Sequence, residues 1–213
     1  NRINRQIEQR SMMLAGVSHD LKTPLTRMRL QTESIKDRKV KDFLNDEIHQ
    51  MTEMLNEYLD FSSSEKIGTG EATDPINSIN KIVNDINFKH SNIAIKIVQN
   101  NQAKVNSNIF SRIIINLLNN AIAVAKKIEI QIDINDQFIK INIHDDGPGI
   151  KDDEKINVFK PFYRLDKSRN QNQLNSGLGL SITKSLLSKI NGDINLKDSY
   201  LGGLEVEIKI ENK

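Results

Sequence analysis

The chain has no cysteine. Disulfides and thiolate-bound metals are therefore excluded, and the absence fits a reducing compartment. It has no apolar run approaching the roughly 18–20 residues of a membrane span and no secretory leader pattern. Nor is one charge in excess. Lys and Arg number 30 against 28 Asp and Glu, a net charge of +2, which argues against nucleic acid as a partner. What is left is a 213-residue chain, 37% hydrophobic, enough for one large or two small domains. Its many Asn, Ile and Lys residues read as a compositional bias. Residues 1–10 are polar, with Ile3 and Ile7 in helical register, so the chain reads as a fragment that begins inside a helix.

Proline is scarce, with four in the chain, and one of them, Pro24, lies inside a helical pattern. Leu14, Val17, Leu21, Leu25, Met28 and Ile35 form one apolar stripe. At the helical pitch, His19 stands roughly 190° from the middle of that stripe and faces solvent. Pro24 cannot donate to the carbonyl of Asp20 and its ring crowds that carbonyl, so a kink or loosening is expected just after His19. Such a distortion suits a histidine that another domain must reach. Asp20 can fix the imidazole tautomer and strengthen it as a nucleophile. Thr23 shares the face of His19 and can position a water or a carboxylate.

Residues 1–36 read as one helix, Lys36-Asp37-Arg38-Lys39 as a polar turn, and 40–62 as a second helix. The second stripe is Phe43, Leu44, Ile48, Met51, Leu55, Tyr58 and Leu59. Two helices bury only one seam, so a homodimeric four-helix bundle is expected; the alternative is a hairpin packed on the rest of its own chain. Ser62-Ser63-Ser64 through Gly68-Thr69-Gly70 is a small-residue linker. The division drawn is a hairpin over 1–64, a linker over 65–73 and a second domain over 74–213.

In the second domain Asp74-Pro75 starts a helix, as N-cap and first helical residue. Strands are expected over 93–98, 128–134, 138–144, 194–196 and 204–210, and helices over 107–125 and 177–190. Helices with a mostly antiparallel sheet make an α+β sandwich.

Four clusters there carry chemistry. Asn116 and Asn120, one helical turn apart, present amides to one side, and hard cations such as Mg²⁺ prefer oxygen ligands. Asp145-Asp146-Gly147-Pro148-Gly149 follows a strand; a carboxylate and a tight glycine turn can take a base amine while the backbone approaches the ring, although an ordinary turn would read the same way. Phe159-Lys160-Pro161-Phe162-Tyr163-Arg164 offers two aromatic anchors and an arginine for phosphate. Ser176-Gly177-Leu178-Gly179-Leu180 opens a helix with glycines, whose N–H groups favour phosphate. His144 reads as structural, and His49 and His90 as surface residues.

The run from Ser18 to Leu25 resembles the H box of the sensor histidine kinases, and Met12 through Leu30 resembles the EnvZ-like, osmosensing members. The four clusters, in order, resemble the N, G1, F and G2 boxes of the histidine-kinase catalytic domain, which has the Bergerat ATP-binding fold. The resemblance covers residues 11–211. It implies ATP and Mg²⁺ as cofactors, with Mg²⁺ and the phosphates at Asn116 and Asn120 and the adenine amine read by Asp145. Gly147, Gly149, Phe159, Arg164, Gly177, Leu178 and Gly179 complete the implied nucleotide site, under a lid between Tyr163 and Gly177 whose Asn170-Gln171-Asn172-Gln173 fits a mobile segment. His19 would accept the γ-phosphoryl group, supported by Asp20, and pass it to an aspartate of an OmpR-like response-regulator receiver domain. Thr23 would serve a phosphatase activity. The resemblance also implies the cytoplasmic portion of a bacterial inner-membrane protein, anchored by segments absent from this chain.

Three positions depart from the family's pattern. Ala123 and Val124 stand where a basic residue and an aromatic are usual, which leaves Arg164, Lys167 and Arg169 as candidates for the missing cation and implies modest affinity. Ser176 replaces a commoner threonine and keeps the hydroxyl. Two rival readings are an ATP-driven clamp of the gyrase, Hsp90 and MutL kind, and a dimerisation module with a degenerate pocket. The clamps resemble one another in carrying a glutamate where this chain has Asn116, so water lacks its base here.

Overall fold

A computed structural model describes residues 20–63, 70–87, 92–165 and 177–212. His19, His90, residues 64–69 of the linker and the segment 166–176, with Lys167, Arg169 and Ser176, lie outside the described residues. The chain divides into two units, 1–66 and 67–213.

In the first unit helix α1 (20–32) and helix α2 (Arg38–Ser63) form a hairpin. α1 ends earlier than the apolar stripe suggests. Glu33, Ser34 and Ile35 donate to carbonyls three residues back, those of Leu30, Gln31 and Thr32, a tightening that closes a helix. Ile35 therefore belongs to the turn. α2 begins two residues before the expected start because Asp37 caps it: Oδ1 accepts the N–H groups of Lys39 at 2.9 Å and Val40 at 3.3 Å. The buried hydroxyl of Thr32 approaches Asn45 Oδ1 at 2.6 Å and ties α1 to α2. Leu25 and Ile48 are buried, whereas Leu21, Met28, Phe43 and Met51 are 46–61% exposed. A lone hairpin leaves much of its own seam in water, as two helices must.

The second unit holds β1 (Ala72–Thr73), α3 (Pro75–Asn87), β2 (Ile93–Asn100), β3 (Val105–Asn106), α4 (Ser107–Ile122), β4 (Ile128–Ile134), β5 (Phe138–Asp145), a 3₁₀ turn (Asn157–Phe159), α5 (Gly179–Lys189), β6 (Gly192–Asp198) and β7 (Leu204–Glu211). Asp74 Oδ1 accepts from Asn77 N–H at 2.8 Å and caps α3. Five strands run in the order β2-β4-β5-β7-β6, with only β2–β4 parallel. β1 and β3 make a separate two-residue pair, too short to show any alternation in sequence. The inner face carries Ile128, Ile130, Ile132 and Ile134 of β4, then Ile139, Ile141 and Ile143 of β5, and Val206, Ile208 and Ile210 of β7. Against them lie Phe110, Ile113, Ile114, Leu117 and Leu118 of α4 and Ile182, Leu186 and Leu187 of α5. The result is a two-layer α+β domain, each buried aliphatic side chain contributing about 1.5–3 kcal/mol.

α4 stops at Ile122, three residues short of the expected end. Val124 and Ala125 donate to the carbonyl of Ala121, and Asp146 Oδ1 then takes the N–H groups of Lys126 and Lys127 at 2.7 and 2.8 Å. Those two bonds hold the Asp146 carboxyl below its ordinary range.

The outer face of the sheet is polar. Glu207, whose side chain is 13% exposed, pairs with Lys140 at 2.8 Å and Lys197 at 3.0 Å. Burial pushes its pKa up, but the two ammonium groups outweigh burial and hold it below the ordinary 4.5. A depressed carboxylate pKa stabilises the fold above the unfolded value and loses that contribution as pH falls through the folded one. Wild type should therefore lose thermal stability below about pH 4.5. Glu207→Gln should cost about 1 kcal/mol at pH 7 and flatten the acid limb; melting temperatures at pH 7 and pH 4 that moved in parallel with wild type would refute this. Among the described residues no helix is long and apolar enough to cross a membrane, and no cluster of His, Asp or Glu could hold a metal by itself.

Candidate nucleotide site

Asp145 ends β5 and is 4% exposed. A carboxylate this deep needs donors, and it finds them in the backbone. Oδ1 accepts the N–H of Gly147 at 2.8 Å and of Leu204 at 3.1 Å. Gly203 N–H donates to the main-chain oxygen of Asp145 at 3.1 Å. Oδ1 is thus committed to the fold. The approach is so close that a Cβ at Gly203 would lie 2.2 Å from Asp145 Oδ1 and 2.5 Å from Gly147 N. Gly149 turns the chain at φ +68°. Val124 Cγ2 would stand 3.0 Å from a Cβ at Gly147, so the valine at the aromatic's usual place backs the glycine turn.

Asn116 and Asn120 project from neighbouring turns of α4. Gly179, the first residue of α5, sits against Asn120: a Cβ there would come within 3.3 Å of both amide heteroatoms. Asn116 Nδ2 is buried with no hydrogen-bond partner, the condition of a polar group waiting for a ligand. Leu178 stands at the N-cap of α5, whose first turn begins at Gly179, and N–H groups at a helix start favour phosphate. An orphaned amide, hard oxygen donors and a helix start fit a triphosphate with Mg²⁺.

The aromatic cluster lies at one root of the segment 166–176. Phe162 N–H donates to Gly177 O at 3.0 Å, and both sit at positive φ, +64° and +75°. A Cβ on Gly177 would meet Tyr163 O at 2.7 Å, so Gly177 is held close against Phe162 and Tyr163. The Tyr163 hydroxyl donates to Glu154, which also accepts from Asn157 Nδ2 at 3.2 Å; these bonds hold the Glu154 carboxyl down and push the Tyr163 phenol up. Phe159 is half-buried, with Lys184 Nζ 5.0 Å from its ring centroid. Phe162 and Arg164 are exposed. In the first unit Asp20 and Thr23 lie on α1 and are exposed.

The structure thus brings together Asp145, Gly147 and Gly149, and separately Asn120 with Gly179. Sequence reasoning missed Gly203 and the Leu204 N–H. Their one visible sign is the Gly202-Gly203 pair between two strands, an ordinary hairpin signal. It also missed Glu154 and Lys184, which carry no motif of their own.

Residues 9–67 match the His Kinase A (phospho-acceptor) domain, and residues 105–213 match the histidine kinase-, DNA gyrase B- and HSP90-like ATPase family. The sensor histidine kinase CpxA of Escherichia coli K12 is 27% identical over 218 residues, 97% of this chain and 48% of CpxA. The sensor protein RstB of the same strain is 28% identical over 211 residues, 94% of this chain and 48% of RstB. This chain spans about half the length of these curated relatives. Among solved structures, full-length ShkA in complex with AMPPNP superposes with a TM-score of 0.75 at 17% identity, over 95% of this chain and 46% of that one. The catalytic domain of the histidine kinase ThkA gives 0.56 at 22% identity, over 67% and 96%. With an ATPase domain preceded by a phospho-acceptor domain, the chain belongs to the sensor histidine kinase family.

Proposed function

We propose that the chain is the catalytic portion of an ATP-dependent protein-histidine kinase that phosphorylates itself on His19 and passes the phosphoryl group to a response-regulator aspartate. The observation that carries this reading is the joint match of a phospho-acceptor domain over 9–67, which contains His19, and an ATPase domain over 105–213. Asp145 reads the adenine amine. Asn116 and Asn120 hold the triphosphate and its Mg²⁺, which when bound supplies charge neutralisation on the phosphate oxygens. Arg164 is the candidate phosphate cation among the described residues.

His19 attacks the γ-phosphorus in line. One imidazole nitrogen forms the N–P bond as the P–O bond to ADP breaks, and Asp20 orients the ring, stabilises the imidazolium and accepts the proton from its other nitrogen. The phosphoryl group then moves to a receiver-domain carboxylate, here proposed to be OmpR-like. The half-exposed seam of Leu21, Met28, Phe43 and Met51 supports a homodimer, whose second hairpin would complete a four-helix bundle. The protein is proposed to be held at a bacterial inner membrane by segments outside this chain.

Incubation with γ-labelled ATP and Mg²⁺ should give protein-bound label that is lost in acid and stable in base. ATP binding without such label would overturn the kinase reading. A phosphatase activity is proposed for Thr23: Thr23→Ala should lose dephosphorylation of the phospho-regulator and keep autophosphorylation, and equal loss of both would refute the role.

A further inference from the structure

The loop that cradles Asp145 is tied down from the far side of the sheet. The β6–β7 turn closes on itself, with Ser199 N–H donating to Gly203 O and Gly202 N–H to Ser199 O, both at 2.9 Å. Its Gly203 and Leu204 N–H groups are the ones that hold Asp145. From that turn Tyr200 reaches across the outer face. Its ring lies on the imidazole of His144, with centroids 4.6 Å apart at 56°, and its hydroxyl helps to hold the carboxyl of Glu129 below its ordinary range. The side chain spans β5 and ends on β4, because Glu129, His144 and Glu205 stand side by side in register.

This arrangement is unusual for a turn residue. Tyr200 is 61% exposed, yet His144 beneath it is 4% exposed, with Nδ1 lacking a hydrogen bond. That nitrogen faces Glu205 Oε2 at 3.9 Å, beyond bonding range, while Glu205 Oε1 accepts from Asn142 at 2.5 Å. The imidazole contributes no bond that fixes the turn; the ring contact of Tyr200 is what ties the turn to β5. His144 and Asp145 are consecutive, so they point to opposite faces of β5. One clamps the turn from outside and the other is clamped by it from inside.

We infer that Tyr200 is a positioning residue for recognition of the purine 6-amino group, acting through the 199–203 turn on the Asp145 carboxylate. The inference rests on the reading of Asp145 as the adenine-recognising group. A site built around a hydrogen bond to an amine discriminates against the analogue that lacks it, and that discrimination depends on how firmly the acceptor is held.

The test compares equilibrium binding of ATP with that of purine riboside triphosphate, which lacks the 6-amino group, for wild type, Tyr200→Phe and Tyr200→Ala. Wild type should prefer ATP. Tyr200→Ala should weaken ATP about tenfold, the scale of one well-made hydrogen bond, and leave the analogue within about twofold, collapsing the preference. Tyr200→Phe keeps the ring over His144 and should fall between them. A preference retained in both variants overturns the inference, as does equal weakening of both nucleotides, which would mark general damage to the fold. A wild type that binds the two nucleotides equally would remove the Asp145 assignment itself, and the role of Tyr200 with it.

Discussion

Gly203→Ala should weaken nucleotide binding at least about tenfold, while Gly202→Ala, one residue earlier, should leave it intact. The two glycines are there for different reasons. Gly202 sits at φ +103° with nothing within 4 Å of a Cβ, so alanine there costs about 1–2 kcal/mol of backbone strain and touches no site. Gly203 has no such φ, but a Cβ would fall 2.2 Å from Asp145 Oδ1, 2.5 Å from Gly147 N and 2.7 Å from Asp145 O. Two of these atoms are backbone, and the third, Oδ1, is held by the N–H groups of Gly147 and Leu204. Either the carboxylate leaves its two N–H donors or the β6–β7 turn moves away from β5. Both outcomes expose or misplace Asp145, and overpacking adds about 1–3 kcal/mol of destabilisation. Titration calorimetry with Mg-ATP, beside melting curves, separates the effects. Gly202→Ala should melt lower and bind normally; Gly203→Ala should melt lower and bind at least about tenfold more weakly. Near-normal affinity in Gly203→Ala would show that the turn does not hold Asp145.

That prediction marks where sequence stops being informative. The isoleucines of β4 and β5 alternate so regularly that both strands are bounded to within a residue, and Asp74-Pro75 announces α3 because capping is a local property. Asp145, Gly147 and Gly149 are visible as a candidate site for the same reason: they are contiguous. Gly203 and Tyr200 act on that site through contacts that exist only once β7 lies beside β5, and no local pattern encodes them. The ends of α1 and α4 fail differently. Helical periodicity in residues 33–36 and 123–125 continues past the last helical turn, but hydrogen bonds from Ile35 to Thr32 and from Lys126 to Asp146 give the backbone a better alternative there.

His19→Gln should reduce label transfer from γ-labelled ATP to background and leave Mg-ATP affinity unchanged. Glutamine keeps the polarity and helix compatibility of the position, but its amide nitrogen has no basic lone pair with which to attack phosphorus. The residues proposed to hold ATP, from Asn116 to Gly179, all belong to the second unit, and His19 belongs to the first, so binding has no reason to change. Asn120→Ala provides the converse: label is lost because the nucleotide is not held. Asp20→Asn keeps size and a hydrogen-bonding oxygen but removes the charge that would stabilise the imidazolium, and should slow labelling by roughly 10²-fold, the ordinary contribution of such assistance. The pattern across three variants separates acceptor, assistant and binder. Residual acid-labile label in His19→Gln would place the acceptor on another histidine, for which exposed His49 on α2 is the first to replace. Acid-stable label would point instead to a hydroxyl acceptor and overturn the histidine-kinase chemistry.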